Sequence, residues 1–415
     1  MRIGMPLSYS GGFKETVAVL RDYEKARLDI VFVPEACSFD AISQLGFIAA
    51  HTERLEIASV LQIYTRTPTL TAMTAAGLDY VSDSRFTLGI GASGPQVIEG
   101  FHGQPYTAPL ARTREIVEIC RSVWRQEKVV HSGRHYPIPL PPDQGTGLGR
   151  PLKLISHPVR ERVPIVSAAI GPQNVALAAE IAEGWMPMFF HPEKADEASG
   201  PALAEGSALR DPALGPLDVV VSPPLAIGES TDDLIALAQP QLALYIGGMG
   251  ARGHNFSYDL ARRYGYGYEA EAATIQDLYL SGRKDEAAAA VPADLLRATS
   301  LIGPASYVAE RIAAFRAARV TTLQVRPLAH GTAQRLADIE ALKAMPPEPV
   351  LRTRVTSWPL PEEVGARVRG RRLFSSRCRP TRHAPGGTTR QAALSRQVQP
   401  KRQPVGESDP ERCRA

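Results

Sequence analysis

Short apolar runs alternate with amphipathic helical segments along most of this chain, and that rhythm constrains the fold more than any single motif. Arg2 to Pro6, Ile30 to Val33, Leu55 to Ile63 and Phe86 to Ile90 read as the first four strands. The helices between them show one apolar face each: Val17, Leu20 and Tyr23 over Phe13 to Ala26, then Ile42, Leu45 and Ile48 over Ala41 to His51. Thr67-Pro68 opens the next helix, which runs to about Val81, with a threonine N-cap and proline in the first turn. A helix from Leu110 to Arg125 carries Ile116, Ile119 and Val123, and a hairpin-like segment follows at Val129 to Tyr136.

Pro137 to Arg162 interrupts the alternation with proline, glycine and basic residues and reads as an insertion on the loop side of the sheet. The rhythm resumes with strands at Val163 to Ala169, Trp185 to Phe189 and Val219 to Ala226, and with helices opening at Gly171-Pro172 and at Thr231. Gln239 to Ala298 is a mostly helical block broken at Gly247-Gly248-Met249-Gly250. Leu301 to Pro304 and Val320 to Val325 bracket the last helix–strand pair, and Thr332 to Lys343 closes the sequence of elements. Eight strand candidates separated by helices predict a (β/α)8 barrel over residues 1–343.

The stretch Arg85 to Tyr106, RFTLGIGASGPQVIEGFHGQPY, is the densest in functional groups. Gly89, Gly91 and Gly94 let backbone approach something bulky, for which a ligand is the obvious candidate. Gly89-Ile90-Gly91-Ala92-Ser93-Gly94 also fits the dinucleotide fingerprint, but three strands precede it and Pro95 follows it. The position about twenty residues on, where an acid should end a strand, falls in a helical pattern near Arg114 and Glu115. The dinucleotide fold is therefore excluded.

Composition narrows the partners. Of 47 Lys and Arg and 43 Asp and Glu, Met345 to Ala415 holds 15 and 6, leaving 32 and 37 in a mildly acidic body. That body has no electrostatic footprint for nucleic acid and no apolar run near the ~20 residues of a membrane span. The segment from 344 to 415 is rich in Arg and Pro and has Trp358 and Phe374 as its aromatics, a composition that predicts a disordered tail. Nucleic-acid binding by the tail is the sharper alternative, disfavoured by the lack of interleaved aromatics. Met1 to Gly12 lacks the apolar core of a leader, and Cys37, Cys120, Cys378 and Cys413 form neither metal spacing nor a disulfide framework. A cytoplasmic enzyme without a structural metal is expected.

In a barrel the chemistry lies just beyond the strand ends, where no triad or acid pair emerges. Glu35 follows strand two and suits a proton donor or a group that holds a cofactor ring, while His102 and Tyr64 are the other candidates for proton transfer. The helix opened by Gly171-Pro172-Gln173-Asn174 offers backbone N–H groups to a phosphate. Apolar strand ends, glycine turns and an anion-ready helix suggest a phosphorylated cofactor that performs the chemistry itself.

The run RFTLGIGASGPQVIEGFHGQPY with PLARTREIVEICRSV, preceded by VLQIYTRTPTLTAMTAAGLDYVSDSRF and followed by IGPQNVALAAEIAEGWMPMFF, closely resembles the luciferase-like family. Within that family it resembles the actinobacterial branch of coenzyme F420-dependent oxidoreductases. LALYIGGMGARGHNFSYDLARRYGYG, IQDLYLSGRKDEAAAAVP and LIGPASYVAERIAAFRAARVTTLQV agree, so the resemblance covers residues 1 to about 343. It implies a deazaflavin at the strand ends, near Glu35 and above a bulge in strand three at Val60, Leu61, Gln62 and Ile63, made in some members by a non-prolyl cis peptide. Ala92, Ser93 and Gly94 then fall in the strand-four turn, and Ala168, Ala169, Gly171 and Pro172 in the turn that takes the cofactor's phosphate side. Ala36 stands where some members carry a histidine. The resemblance further implies a homodimer, a small organic substrate and hydride transfer, with FMN-dependent oxygenation or cofactor binding without turnover as alternatives.

Overall fold

A computed structural model describes residues 1–7, 12–249 and 267–345, all within the unit Met1–Gly370. Residues 8–11, part of the helical block (250–266) and the tail from 346 onward lie outside the described residues.

Eight parallel strands close into a barrel. In ring order they are β1 (Arg2–Pro6), β2 (Ile30–Pro34), β3 (Glu56–Gln62), β4 (Phe86–Gly91), β5 (Ile165–Ala168), β6 (Gly184–Met186), β7 (Asp218–Val221) and β10 (Thr322–Gln324), which pairs back onto β1. Outward side chains of the strands such as Ile57, Leu61, Leu88 and Trp185 pack against helix residues such as Leu45 in the layer between strands and helices. Inward ones fill the barrel in tiers. Arg2, Glu56, Asp218 and Thr322 form a charged foot, where Arg2 binds Glu56 at 2.7 Å and pairs with Asp218. Above it lies an apolar plug of Ile30, Phe32, Ala58, Val166 and Val220, capped by the half-buried Val60 and Met186.

The helices begin where their capping residues dictate. Asp40 accepts from the Ser43 N–H at 2.7 Å to start α2 (Ala41–His51). The Thr67 hydroxyl accepts from the Leu70 N–H at 3.3 Å, with Pro68 in the first turn of α3 (Pro68–Val81).

Strand seven departs from its expected single run from Val219 to Ala226. Pro223 and Pro224 lack the N–H a ladder needs, so the run divides into β7 and β8 (Pro224–Ile227). Beyond the break β8 pairs with β9 (Leu301–Gly303) and β11 (Arg326–Pro327), making a small parallel sheet above the barrel mouth. The described helices between Thr231 and Thr299 build a second core on it, including Ile235, Leu242, Ile246, Ile275 and Ile302.

The insertion Pro137 to Arg162 runs from the mouth side to the foot. Tyr136, just before it, directs its hydroxyl to the Ile63 carbonyl at 3.5 Å and lies under Arg112, whereas Arg160 near its far end binds Asp79 and the Phe86 carbonyl. The hairpin closed by His131 and Ile138 lies along the helix Pro109–Trp124, held by Glu115, which accepts from the Tyr136 N–H at 2.9 Å.

Gly89 and Gly91 let neighbouring strands pack closely. A Cβ on Gly89 would overlap the Ser59 carbonyl, and one on Gly91 would lie 3.3 Å from the Ala168 Cβ. The β3–β4 register is constant on either side of this point, but Ser59 and Val60 have no ladder partners on β4. Strand three is thus interrupted without an inserted residue, and the one cis peptide among the described residues is Ile138–Pro139. Gly89→Ala is expected to cost about 1–3 kcal/mol through overpacking, measured by denaturant unfolding. Gly94→Ala is the control, because an added Cβ there meets nothing nearer than 3.6 Å; equal stability of the two variants would refute the packing role.

Candidate active site

The ends of five consecutive strands align in one arc. Pro34 pairs with Val60, and Gln62, Gly91, Ala168 and Met186 pair in succession across β3, β4, β5 and β6. The Glu35 N–H donates to the Val60 carbonyl at 3.0 Å, which joins the acid to the same rim. Most of the residues singled out from the sequence therefore converge. Leu61 and Ile63 do not, because they alternate outward into the strand–helix core. Ala169 is also buried there; its N–H donates to Met186 and its carbonyl accepts from the Trp185 indole, so its backbone is already occupied.

Glu35 sits at the strand-two end with its side chain 10% exposed, paired through Oε1 with Arg66 at 3.0 Å. Arg66 comes from the turn after β3 and also binds Asp40 at 2.8 Å. One guanidinium thus fixes the acid and the helix cap together. Glu35 Oε2 is buried and has no hydrogen-bond partner among the described residues. Gln62 shows the same condition: its amide donates weakly to the Ser93 hydroxyl at 3.4 Å, while buried Oε1 is unpartnered. Two open acceptors on one rim, above the apolar floor of Val60, would suit the polar edge of a planar ring.

The strand-four turn is shaped at Ser93, whose φ of 59° is left-handed, rather than at Gly94, whose φ is −123°. The Tyr106 hydroxyl donates to the Ser93 carbonyl at 3.2 Å and fastens the turn to its loop. Tyr64 stacks 5.2 Å from Tyr106, and Arg112 lies 5.6 Å and 5.2 Å from the ring centres of Tyr64 and Tyr136. The Tyr64 hydroxyl donates to the Thr107 carbonyl at 2.9 Å. Burial, seconded by the neighbouring Tyr106, pushes its pKa up to about 12. The hydroxyl ties the turn after β3 to the loop that carries Thr107. His102 packs edge-on against Phe101 at 5.0 Å with Nε2 buried and unpartnered, and among the described residues no hydrogen bond links it to Glu35.

Beyond β5, the helix Pro172–Ile181 begins at Gly171 without a side-chain cap, and a Cβ on Gly171 would meet nothing within 4 Å. Its N-terminus faces open space, as an anion site requires.

Residues on the strand-seven and strand-eight side escaped the sequence reading. Thr322, Gln324 and Arg326 alternate with Leu323 and Val325, which join the outer core. The polar members therefore face inward, and Gln324 pairs with Ser222 at the mouth. Polar residues at every second place in an otherwise apolar strand were the available signal. Among the described residues no three His, Cys, Asp or Glu side chains gather as metal ligands. No described helix is long and apolar enough to cross a membrane.

Fold and rim together define a (β/α)8 barrel whose mouth, among the described residues, presents open acceptors over an apolar floor. The profile of the luciferase-like monooxygenase family matches residues 1–322, and the chain belongs to that family. Rv3520c of Mycobacterium tuberculosis, which carries the name of a coenzyme F420-dependent oxidoreductase, is 40% identical over 352 residues, spanning 82% of this chain and 99% of the relative. The 5,10-methylenetetrahydromethanopterin reductase of Archaeoglobus fulgidus is 26% identical over 287 residues, 67% of this chain and 79% of the relative. The solved coenzyme F420-dependent tetrahydromethanopterin reductase from Methanopyrus kandleri superposes with a TM-score of 0.69 at 20% identity, over 83% of this chain and 97% of that one, a likeness of fold.

Proposed function

We propose that this protein is an oxidoreductase that moves a hydride between coenzyme F420 and a small organic substrate. The carrying observation is the similarity to Rv3520c, which extends over 99% of that relative. The rim supports it: Glu35 Oε2 and Gln62 Oε1 are buried acceptors without partners among the described residues, beside the Val60 floor. When bound, the deazaflavin would supply the hydride chemistry. Glu35 would hold or move a proton at Oε2 while Arg66 fixes its position, Val60 and Met186 would support the ring, and the Gly171–Pro172 helix end would take the anionic side. We place the protein in the cytoplasm.

Titration of the purified protein with F420 and with FMN, followed by oxygen-uptake measurements, tests this reading. Submicromolar F420 affinity, weaker FMN binding and no oxygen uptake are expected. Tighter FMN binding with oxygen consumption would make it an FMN-dependent monooxygenase instead, and F420 binding without turnover of any candidate substrate would leave a cofactor carrier.

The protein is further proposed to act as a homodimer through α3. Leu70, Met73, Tyr80 and Val81 recur at helical spacing on its outer face and are 47%, 52%, 68% and 55% exposed. Leu70→Asp with Met73→Asp is expected to convert a dimer to a monomer in sedimentation at micromolar concentration; a wild-type monomer, or a variant that stays dimeric, would reject this face.

A further inference from the structure

We propose that Arg326 anchors an anionic group of the substrate, on the side of the mouth opposite the strand-four turn. The assignment to substrate rests on the proposed cofactor reading. β10 lies between β7 and β1 in the ring, diametrically across from β4, so an inward side chain beyond its end lies across the mouth from the strand-four turn. Arg326 continues the inward alternation of Thr322 and Gln324 and is fixed by its N–H, which donates to the Pro223 carbonyl at 3.0 Å. Past the Pro223 break the pairing of β10 with β7 continues as that of β11 with β8, while on its other side β8 pairs with β9 in place of β6.

The guanidinium is chemically incomplete. Its Nε is buried and unpartnered, and no ion pair or side-chain hydrogen bond reaches Arg326 among the described residues. Other buried or half-buried arginines have carboxylate or carbonyl partners: Arg66 has Glu35, Arg85 the Leu55 carbonyl, Arg311 Glu193. A desolvated guanidinium without a partner is costly, and an incoming anion removes the cost through paired N–H donors. Burial pulls its pKa below the ordinary value, and Tyr245 is the ionisable neighbour acting in the opposite sense.

Tyr245 also indicates the rest of the ligand. It projects from the π-helical turn Leu244–Gly248 and meets Phe189 edge-on at 5.7 Å, and Phe189 is held at a left-handed φ of 52° just beyond β6. An aromatic pair whose tyrosine lies within electrostatic reach of the guanidinium suits an organic anion, a carboxylate or phosphate ester, carried on an apolar body.

The test uses hexanoate and hexyl phosphate as probes and 1-hexanol as the uncharged control, titrated by calorimetry into wild-type protein, Arg326→Met and Arg326→Lys, with melting curves to verify folding. Wild-type protein is expected to bind at least one anion ten-fold or more tighter than 1-hexanol. Arg326→Met should abolish that preference and Arg326→Lys retain part of it; the tighter anion names the headgroup. Absence of anion preference in wild type, or its survival in Arg326→Met, would overturn the proposal. F420 affinity is expected to be unchanged in Arg326→Met. A ten-fold loss there would also overturn the proposal, by giving the arginine to the cofactor. Should F420 fail to bind wild-type protein at all, the cofactor reading falls and with it the substrate assignment, while the hexanoate and hexyl phosphate titrations still report whether Arg326 binds anions.

Discussion

Glu35→Gln is expected to lower single-turnover rates by ~10²–10⁴-fold, the usual scale of lost acid–base catalysis, while cofactor affinity stays within about three-fold. The substitution preserves the shape of the side chain and its acceptor oxygen but removes the charge and the exchangeable proton. Arg66 retains Asp40 as a partner at 2.8 Å, so the turn after β3 keeps one of its two anchors. Dissociation constants and single-turnover rates measured on the same preparation separate the outcomes. Normal turnover with weakened binding would show that the carboxylate only holds the ring, and His102, whose buried Nε2 is unpartnered, would become the group to test next.

Arg160→Ala is expected to destabilise the fold by about 3 kcal/mol, a substantial part of the stability of most proteins. Asp79 is 1% exposed, and Arg160 binds both its carboxylate oxygens and the Phe86 carbonyl. Truncating the arginine strands a charge in the barrel's foot and releases the far end of the insertion. The double variant Asp79→Asn with Arg160→Met should recover a large part of the loss, since removing both charges avoids the stranded one. Urea unfolding of the three proteins decides this. Near-zero destabilisation in Arg160→Ala would mean the insertion is anchored elsewhere and water reaches Asp79.

Both residues illustrate what the sequence discloses. Periodicity located the strands because each buried run is short and bounded by polar turns, and Thr67-Pro68 marked a helix start because capping is local chemistry. Glu35 was visible for the same reason, as the acid at a strand end. Its partner Arg66 was not, since the two are 31 positions apart and meet only because β2 and β3 are neighbours. Gly89 was visible as a glycine but not for its purpose, because the atom it makes room for is the Ser59 carbonyl on another strand. Arg326 lies one residue past the apolar run, where alternation no longer signals direction until the strand's pairing is known. Pro223 and Pro224 carried the sign of the strand-seven break in plain view, hidden by the apolar residues on either side.

The closure of the barrel has a consequence for how the chain comes to be made. β1 pairs with β10, and the Arg2 guanidinium bonds Thr322 across a separation of 320 residues. A nascent chain therefore holds seven strands with two open edges, on β1 and β7, until the last strand emerges and seals both at once. Non-local pairing of this kind is slow, and open edges invite pairing with other chains. Translation that stops short of Gln324 would release not a weakened enzyme but an unsealed sheet, so the reading of the last barrel strand is the step at which this polypeptide passes from a liability to a catalyst.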